Sequence, residues 1–228
     1  MKIVSVILAR GGSKGIPKKN IVDVGGFPLI SYCILASIKS KVSETWVSTD
    51  DEEIAEESKM CGAQVLWRPK ELATDTASSE DALLHFAENV SFDILVFIQP
   101  TSPLLQYKDI NSGLELLNEY DSVFSAYKEH WYPRWTKENI LGAEISMAED
   151  WNINERPRRQ DVKEKYVENG AFYITTKKDL LESGLRYSKN IGIFEMPFYR
   201  SLQVDTPEDL MVITDLLHFE TIKNRSLY

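Results

Sequence analysis

The amino-acid sequence predicts an α/β fold, a mostly parallel sheet with helices on both faces. Three observations carry this reading. Strand-length apolar runs alternate with segments of helical period through the first half of the chain. The longest runs, Ile3–Ala9 and Asp93–Ile98, fall far short of the roughly 20 apolar residues a membrane helix needs. A hydrophobic content of 43% over 228 residues is enough for the core of one α/β domain.

The elements follow in order. A strand over Ile3–Ala9 leads to a helix from about Pro28 to Lys41, a strand over Thr45–Thr49 and a helix over Asp51–Met60. A short strand over Gln64–Trp67, a helix near Ser79–Asn89, the apolar strand Asp93–Ile98 and a helix near Lys108–Asn118 continue the alternation. After a strand over Asp121–Tyr127, periodicity lapses for about forty residues rich in Trp, Pro and Arg, from Lys128 to about Glu168. A stretch so long without regular structure in a compact domain points to a function or a partner. The pattern resumes with Ala171–Thr175, a helix from Lys177, a strand near Ile191–Met196 and a last helix from Pro207 to about Ile222. One domain is therefore expected over residues 1–222, including an excursion at 128–170, with a frayed tail from Lys223 to Tyr228.

Composition excludes several classes. The net charge of −9 argues against a nucleic-acid binder, which needs an excess of Lys and Arg for phosphate backbones. No membrane span is expected, and the passage from Met1-Lys2 straight into a strand leaves no room for a secretory leader, so a cytoplasmic protein is expected. Cys33 and Cys61 stand in no CxxC pattern and beside no histidine, and read as reduced packing residues. His85, His130 and His218 show no metal spacing.

In such a chain an anionic ligand must be caught by a local basic island. Arg10 to Asn20 reads RGGSKGIPKKN, four cations and three glycines without an acid. Glycines permit a turn whose backbone N–H groups face a ligand, and Arg10, Lys14, Lys18 and Lys19 add the charge that cradles a triphosphate. Neither GxxxxGK[ST] nor GxGxxG is present. A solvated turn with surface lysines is the bland alternative. Because ligands of parallel sheets bind at the carboxyl ends of the strands, the loops starting at Arg10, Asp50, Arg68 and Gln99 should share one edge.

Further segments carry polar groups to place there. RPKELATDTASSEDAL puts Arg68 beyond a strand and Ser78 or Ser79 at a helix N-cap. QPTSPL follows the most apolar strand; Gln99 could read a base edge or a ribose, or the segment is simply a turn. In VDTPEDL, Thr206 reads as N-cap, Pro207 as first helical residue and Asp209 as the capping acid. That leaves Asp205 free as a magnesium ligand, or as a solvated turn residue. RPRRQD, Arg156 to Asp161, offers bidentate grip on a carboxylate or phosphate, a targeting-like run, or a salt-bridged surface. ENGAFYI reads as an Asn169-Gly170 turn into a strand.

Together, LARGGSKGIPKKNI, VSTDDEEIA, RPKELATDTASS, QPTSPL, RPRRQD, ENGAFY and VDTPEDL, in this order and spacing, resemble the acylneuraminate cytidylyltransferases, from Ile3 to about Leu217. The opening motif and RPRRQD followed by ENGxFY are the most specific parts. The resemblance implies a Rossmann-like, mostly parallel sheet of the nucleotide-diphospho-sugar transferase type with a protruding dimerisation arm, formed by the irregular excursion, and hence a homodimer. It implies a magnesium-dependent enzyme that transfers CMP from CTP to the anomeric hydroxyl of an acidic nine-carbon sugar, releasing pyrophosphate. The animal members carry a phosphatase-like domain after the last helix, so the compact catalytic form is expected here.

Position by position, the resemblance implies that Arg10, Lys14 and Lys19 bind the triphosphate and that Asn20, Arg68, Ser79 and Gln99 hold the nucleotide. Arg158 matches the catalytic arginine, with Arg10 and Lys19 acting on the phosphates. Gln99, Arg158, Arg159 and Gln160 fall at the sugar site. Asp205 matches the second aspartate of a metal pair, but Gln203 stands where many members have the first. Glutamine is neutral and a poor magnesium ligand. Glu168 matches the animal-like ENGxFY and favours acylneuraminate over legionaminic, pseudaminic or octulosonic acids. Two other classes remain open: a nucleotide-binding protein that has lost catalysis with its metal site, and an interaction module that docks through RPRRQD.

Overall fold

The apolar runs become the inner strands of one large sheet because each can be covered by helices on both sides. The computed structural model describes residues 1–13 and 15–225. Its first half runs Ile3–Leu8 (β1), the two-residue strands Asp23–Val24 (β2) and Phe27–Pro28 (β3), Leu29–Ile38 (α1), Glu44–Thr49 (β4), Glu52–Met60 (α2), Gln64–Trp67 (β5), Ser79–Asn89 (α3), Ile94–Ile98 (β6) and Tyr107–Leu116 (α4). Then follow Ser122–Lys128 (β7), Trp135–Ile140 (β8), Ala143–Ala148 (β9), Tyr166–Thr176 (β10), Lys177–Ser183 (α5), Ile191–Glu195 (β11) and Pro207–Arg225 (α6).

The seven-stranded sheet has the order β11-β7-β10-β6-β1-β4-β5. β1 pairs in parallel with β4 and β6, β4 with β5 and β11 with β7; β10 runs antiparallel to β6. The mostly parallel sheet is thus as expected. Its packing follows the two-residue period of a strand. In β6, Ile94, Val96 and Ile98 join Ile30, Ile34 and Ile110 from α1 and α4 on one face. Leu95 and Phe97 turn to the other, among Leu83, Phe86 and Leu180 from α3 and α5. A third cluster seats Ile16 of the first crossover with Val204 and Ile213 at the root of α6. Phe86 is wholly buried, and truncating such a side chain to alanine costs about 3–5 kcal/mol.

The chain divides into two compact units, Met1–Tyr127 with Glu168–Tyr228, and Lys128–Val167. The second contains a β8–β9 hairpin where the sequence reading expected no regular structure. Two physical reasons hide it. Both strands are exposed along nearly their whole length, so no alternation of buried and solvent residues marks them. The turn is Leu141-Gly142, with φ of 52° and 85°, which takes the backbone of the favoured hairpin turn without its usual Asn-Gly or Asp-Gly.

Two other details differ from expectation. Asn169-Gly170 is not a turn ahead of a strand but lies inside β10, with Gly170 at φ 69°. The last helix continues past Ile222 to Arg225, and residues 226–228 lie outside the described residues. Both cysteines are free thiols; burial pushes the Cys33 thiol up to about 12. No helix among the described residues is long and apolar enough to cross a membrane.

Candidate active site

The carboxyl ends of β1, β5 and β6 open onto one cavity of about 490 Å³, and every residue lining it belongs to the first unit. Arg10, Lys19, Asn20, Arg68, Ser79, Gln99 and Asp205 all line it. Seven side chains that the sequence places up to 195 positions apart, from Arg10 to Asp205, therefore meet at one sheet edge, where parallel α/β sheets bind ligands. Lys14 lies outside the described residues. Lys18, the fourth cation of the opening motif, is left-handed at φ 50° and pairs with Glu53 of α2 rather than lining the cavity.

The first crossover is shaped by close approach. The Gly11 amide donates to Asp50 Oδ1 at 2.9 Å, and a Cβ on Gly11 would sit 2.7 Å from Asp51 Oδ2. A Cβ on Gly15 would meet the Asp205 carbonyl oxygen at 2.7 Å. Only glycine lets the loop lie against both turns. Asn20 is buried, and its Nδ2 donates to the Arg10 carbonyl at 2.9 Å, tying the end of the loop to its start. Arg10 pairs with Asp75 at 2.9 Å, and Lys19 Nζ with Asp205 Oδ1 at 2.8 Å. The cations at the cavity are thus held by carboxylates that an incoming polyanion can replace.

Arg68 is the buried cation of the wall, 8% exposed. Its Nε donates to Ser48 Oγ at 3.2 Å, and its Nη groups donate to the Ser48 and Leu72 carbonyls. Burial lowers its pKa to about 10, Asp50 favours the charged form and Arg10 opposes it, so the guanidinium remains protonated at neutral pH. At the start of α3, Ser78 is the N-cap and accepts from the Asp81 amide at 3.0 Å. Ser79 is thereby left to line the cavity at the positive end of the helix.

The acid expected beside the last helix also stands in place. Asp209 Oδ2 accepts from the Thr206 amide at 2.8 Å and the Asp205 amide at 3.1 Å, and the Thr206 hydroxyl accepts in return from the Asp209 amide. This capping box fixes the turn and leaves the Asp205 carboxylate, 61% exposed, facing Lys19. No group of three or more His, Cys, Asp or Glu among the described residues could hold a metal. Two accessible carboxylates, Asp75 and Asp205, line the cavity beside its cations, and Asp205 fits magnesium, which takes one or two carboxylates and fills its octahedron with waters and substrate phosphates.

Gln203 is not disposed as a metal ligand. Its Nε2 donates to the Asn169 carbonyl and to Gln99 Oε1, the latter at 3.3 Å, and its Oε1 accepts from the Thr101 hydroxyl at 3.3 Å. Sequence reading missed this network, and it missed Asp75. The acid in ATDTASS offers no signal of its own, and the contacts of Gln203 span 34 and 104 residues. It also missed Arg186, which grips Glu80 at 2.7 and 3.0 Å and lies over the rings of Phe97 and Tyr173. Glu168 accepts from the hydroxyls of Tyr173 and Tyr187. Burial first, and then the Glu168 hydrogen bond, push the Tyr173 phenol up to about 12.

In the second unit, Arg158 precedes a 3-10 turn over Arg159–Asp161. Its guanidinium, 74% exposed, holds Asp161 with two hydrogen bonds of 2.7 and 3.2 Å. Arg159 and Gln160 are exposed as well.

Comparison with known proteins places this chain. N-acylneuraminate cytidylyltransferase A of Danio rerio is 42% identical over 213 residues, covering 91% of this chain and 49% of the relative. The N-acylneuraminate cytidylyltransferase of Streptococcus agalactiae serotype III (strain NEM316) is 33% identical over 230 residues, covering 96% and 54%. The chain spans about half the length of these curated relatives. Among solved structures, CMP:2-keto-3-deoxy-manno-octonic acid synthetase complexed with CTP superposes with a TM-score of 0.71 at 21% identity, covering 96% of this chain and all (100%) of the other. The 4-diphosphocytidyl-2C-methyl-D-erythritol synthase of Anaerococcus prevotii DSM 20548 gives 0.65 at 13%, covering 95% and 98%. These two likenesses establish the fold. A family model described as cytidylyltransferase matches residues 4–227, nearly the whole chain, and the chain belongs to the cytidylyltransferase family.

Proposed function

We propose that this protein transfers CMP from CTP to the anomeric hydroxyl of an acidic nine-carbon sugar, an N-acylneuraminate, and releases pyrophosphate. The observation that carries the reading is the convergence of Arg10, Lys19, Arg68, Ser79, Gln99 and Asp205 on one cavity, a cationic seat in a chain of net charge −9. The names of the curated relatives support the sugar.

In this reading Arg10 and Lys19 exchange Asp75 and Asp205 for the phosphates of CTP, joined by Lys14. Arg68 and the helix end at Ser79 add fixed positive charge that needs no reorganisation. Asn20 keeps the crossover closed, and Gln99 orients a substrate oxygen or ring. Arg158 is the catalytic arginine, and Arg159 and Gln160 meet the sugar. Asp205 would hold magnesium, which when bound supplies charge neutralisation on the phosphate oxygens. Holding two reactants in line supplies on the order of 7–11 kcal/mol, so no covalent nucleophile is required.

The second unit is the dimerisation arm in this reading. Its support is that no residue of Lys128–Val167 is buried within the chain, although Trp135, Ile145, Met147 and Ile153 are apolar. A cytoplasmic homodimer is accordingly proposed. The octonic acid synthetase among the structural neighbours motivates a second reading, the same CTP-dependent reaction on another ulosonic acid. The purified protein with CTP, magnesium and a panel of N-acetylneuraminate, legionaminic, pseudaminic and octulosonic acids, scored by pyrophosphate release, separates the two. N-acetylneuraminate is expected to give the highest kcat/KM. Release with none of the four would overturn both.

A further inference from the structure

Gln203 occupies a position whose side-chain polarity can be worked out. The Asn169 carbonyl is an acceptor only, so the end of Gln203 that faces it must be the amide nitrogen. The same Nε2 reaches Gln99 Oε1 at 3.3 Å and Ser102 Oγ at 3.4 Å, while the Thr101 hydroxyl donates to Gln203 Oε1. Reversing either glutamine would set like poles together, amide against amide or carbonyl against carbonyl.

The surroundings lock the arrangement. Asn169 is buried, with its Nδ2 donating to Ser201 Oγ at 2.8 Å and its Oδ1 accepting from Ser125 Oγ at 2.6 Å and from the Ala171 amide at 3.1 Å. Its backbone carbonyl is therefore fixed in aim. Gly170 takes φ 69°, and any Cβ there would collide with Gln203 Nε2 and Gln99 Oε1. The Asn-Gly pair inside β10 makes room for two hydrogen-bonded amides.

We propose that Gln203 is a positioning residue that turns the Gln99 carbonyl inward and presents the Gln99 amide hydrogens to the cavity, so that Gln99 selects a hydrogen-bond acceptor on its ligand. A sugar hydroxyl oxygen, a carboxylate or a pyrimidine carbonyl meets that requirement. The exocyclic amine of cytosine, a donor, does not. The glutamine at this position is then a working part of the site rather than a metal ligand lost. An acid there would face the Asn169 carbonyl with a lone pair.

The kinetic arm of the test rests on the cytidylyltransferase reading. Gln203→Glu replaces the donor with an acceptor, and Gln203→Met removes it at similar length. Gln203→Glu is expected to raise KM for CTP or N-acetylneuraminate roughly tenfold, and Gln203→Met by less. In a Gln99→Met background neither change should add to the effect, a coupling that a purely structural role would not produce. The half-saturating magnesium concentration should not fall in Gln203→Glu. A fall in that value, unchanged KM for both substrates, or full additivity with Gln99→Met would each overturn the proposal.

A second readout stands apart from turnover. In 15N-labelled protein the side-chain amide signal of Gln99, assigned by its loss in Gln99→Met, should shift in Gln203→Met, and an unmoved signal overturns the inference. Absence of pyrophosphate release by the unaltered protein would instead count against the proposed reaction alone.

Discussion

The two units of this chain are built on opposite terms. Every buried side chain among the described residues lies in Met1–Tyr127 or Glu168–Tyr228, and Lys128–Val167 has none. In the first unit, apolar clusters on both faces of the sheet fix the strand ends, and the strand ends fix the cations of the cavity. In the second, a two-stranded hairpin, an edge contact between Trp135 and Trp151 and solvent-exposed ion pairs such as Lys137 with Glu144 supply the order. A lone hairpin is marginal in water, and exposed pairs contribute at most about 1 kcal/mol each. The difference teaches that the first unit can preorganise a charged site by itself, whereas the second needs cover for its apolar side chains.

The largest effect that tests this contrast is on the cavity. Arg10→Ala or Lys19→Ala should cut turnover by roughly 10² or more, measured as pyrophosphate release at saturating CTP and sugar. Both side chains sit in partly exposed ion pairs rather than in the core, so the thermal midpoint should stay within a few degrees. Near wild-type rates in both variants would remove the triphosphate from this cavity.

The next effect falls on the second unit. Trp135→Ser, Ile145→Asn and Met147→Asn together strip apolar area that is already exposed in the single chain. The main unfolding transition, set by the first unit, should not move, while the proposed dimer should weaken at least tenfold, read by sedimentation over a protein concentration series. An unchanged sedimentation profile would overturn the proposal that this face joins two copies.

The same contrast explains what the sequence could tell. The first unit was legible because its inner strands, such as β1 and β6, are buried on both faces and its helices on one. Ile3–Leu8 and Ile94–Ile98 stand out as apolar runs between turns, and the basic run after β1 stands out by charge. The hairpin of the second unit was not legible, since strands with no buried face have no period and Leu141-Gly142 carries no turn signal. The residues that declare themselves by type, Arg10, Lys19, Arg68 and Asp205, were singled out by the sequence and line the cavity. Those whose meaning lies in a contact across the fold were not. Asp75 reads as one more loop acid until it meets Arg10, and Gln203 reads as a missing carboxylate until its amide meets the Asn169 carbonyl. Residue chemistry is local to the sequence; orientation is a property of the assembled sheet edge.

The smallest effect sharpens the comparison by pH. Glu80, one residue into α3 from Ser79, has its pKa held below the usual 4.5, chiefly by hydrogen bonds from Arg186, against the opposing effect of burial. The unfolded chain therefore binds more protons than the folded one in the window just below 4.5, and stability rises with pH there. The contribution of the pair is complete above pH 4.5 and is lost as pH falls through the lower, folded value. Glu80→Gln should then cost about 1 kcal/mol at neutral pH, the figure allowing for solvent screening of a partly exposed pair, and the difference from wild type should close on acidification. The matching pair in the second unit, Lys165 with Asp150, also lowers its carboxylate, with the Lys165 hydrogen bond as the main cause. Lys165 is half exposed, which screens the pair, so Asp150→Asn should move the denaturant midpoint by less than Glu80→Gln does. Denaturant titrations from pH 3 to pH 7 read both variants. A pH-independent loss in Glu80→Gln, or an equal response in Asp150→Asn, would mean that the ordering of α3 does not draw on the grip of Arg186.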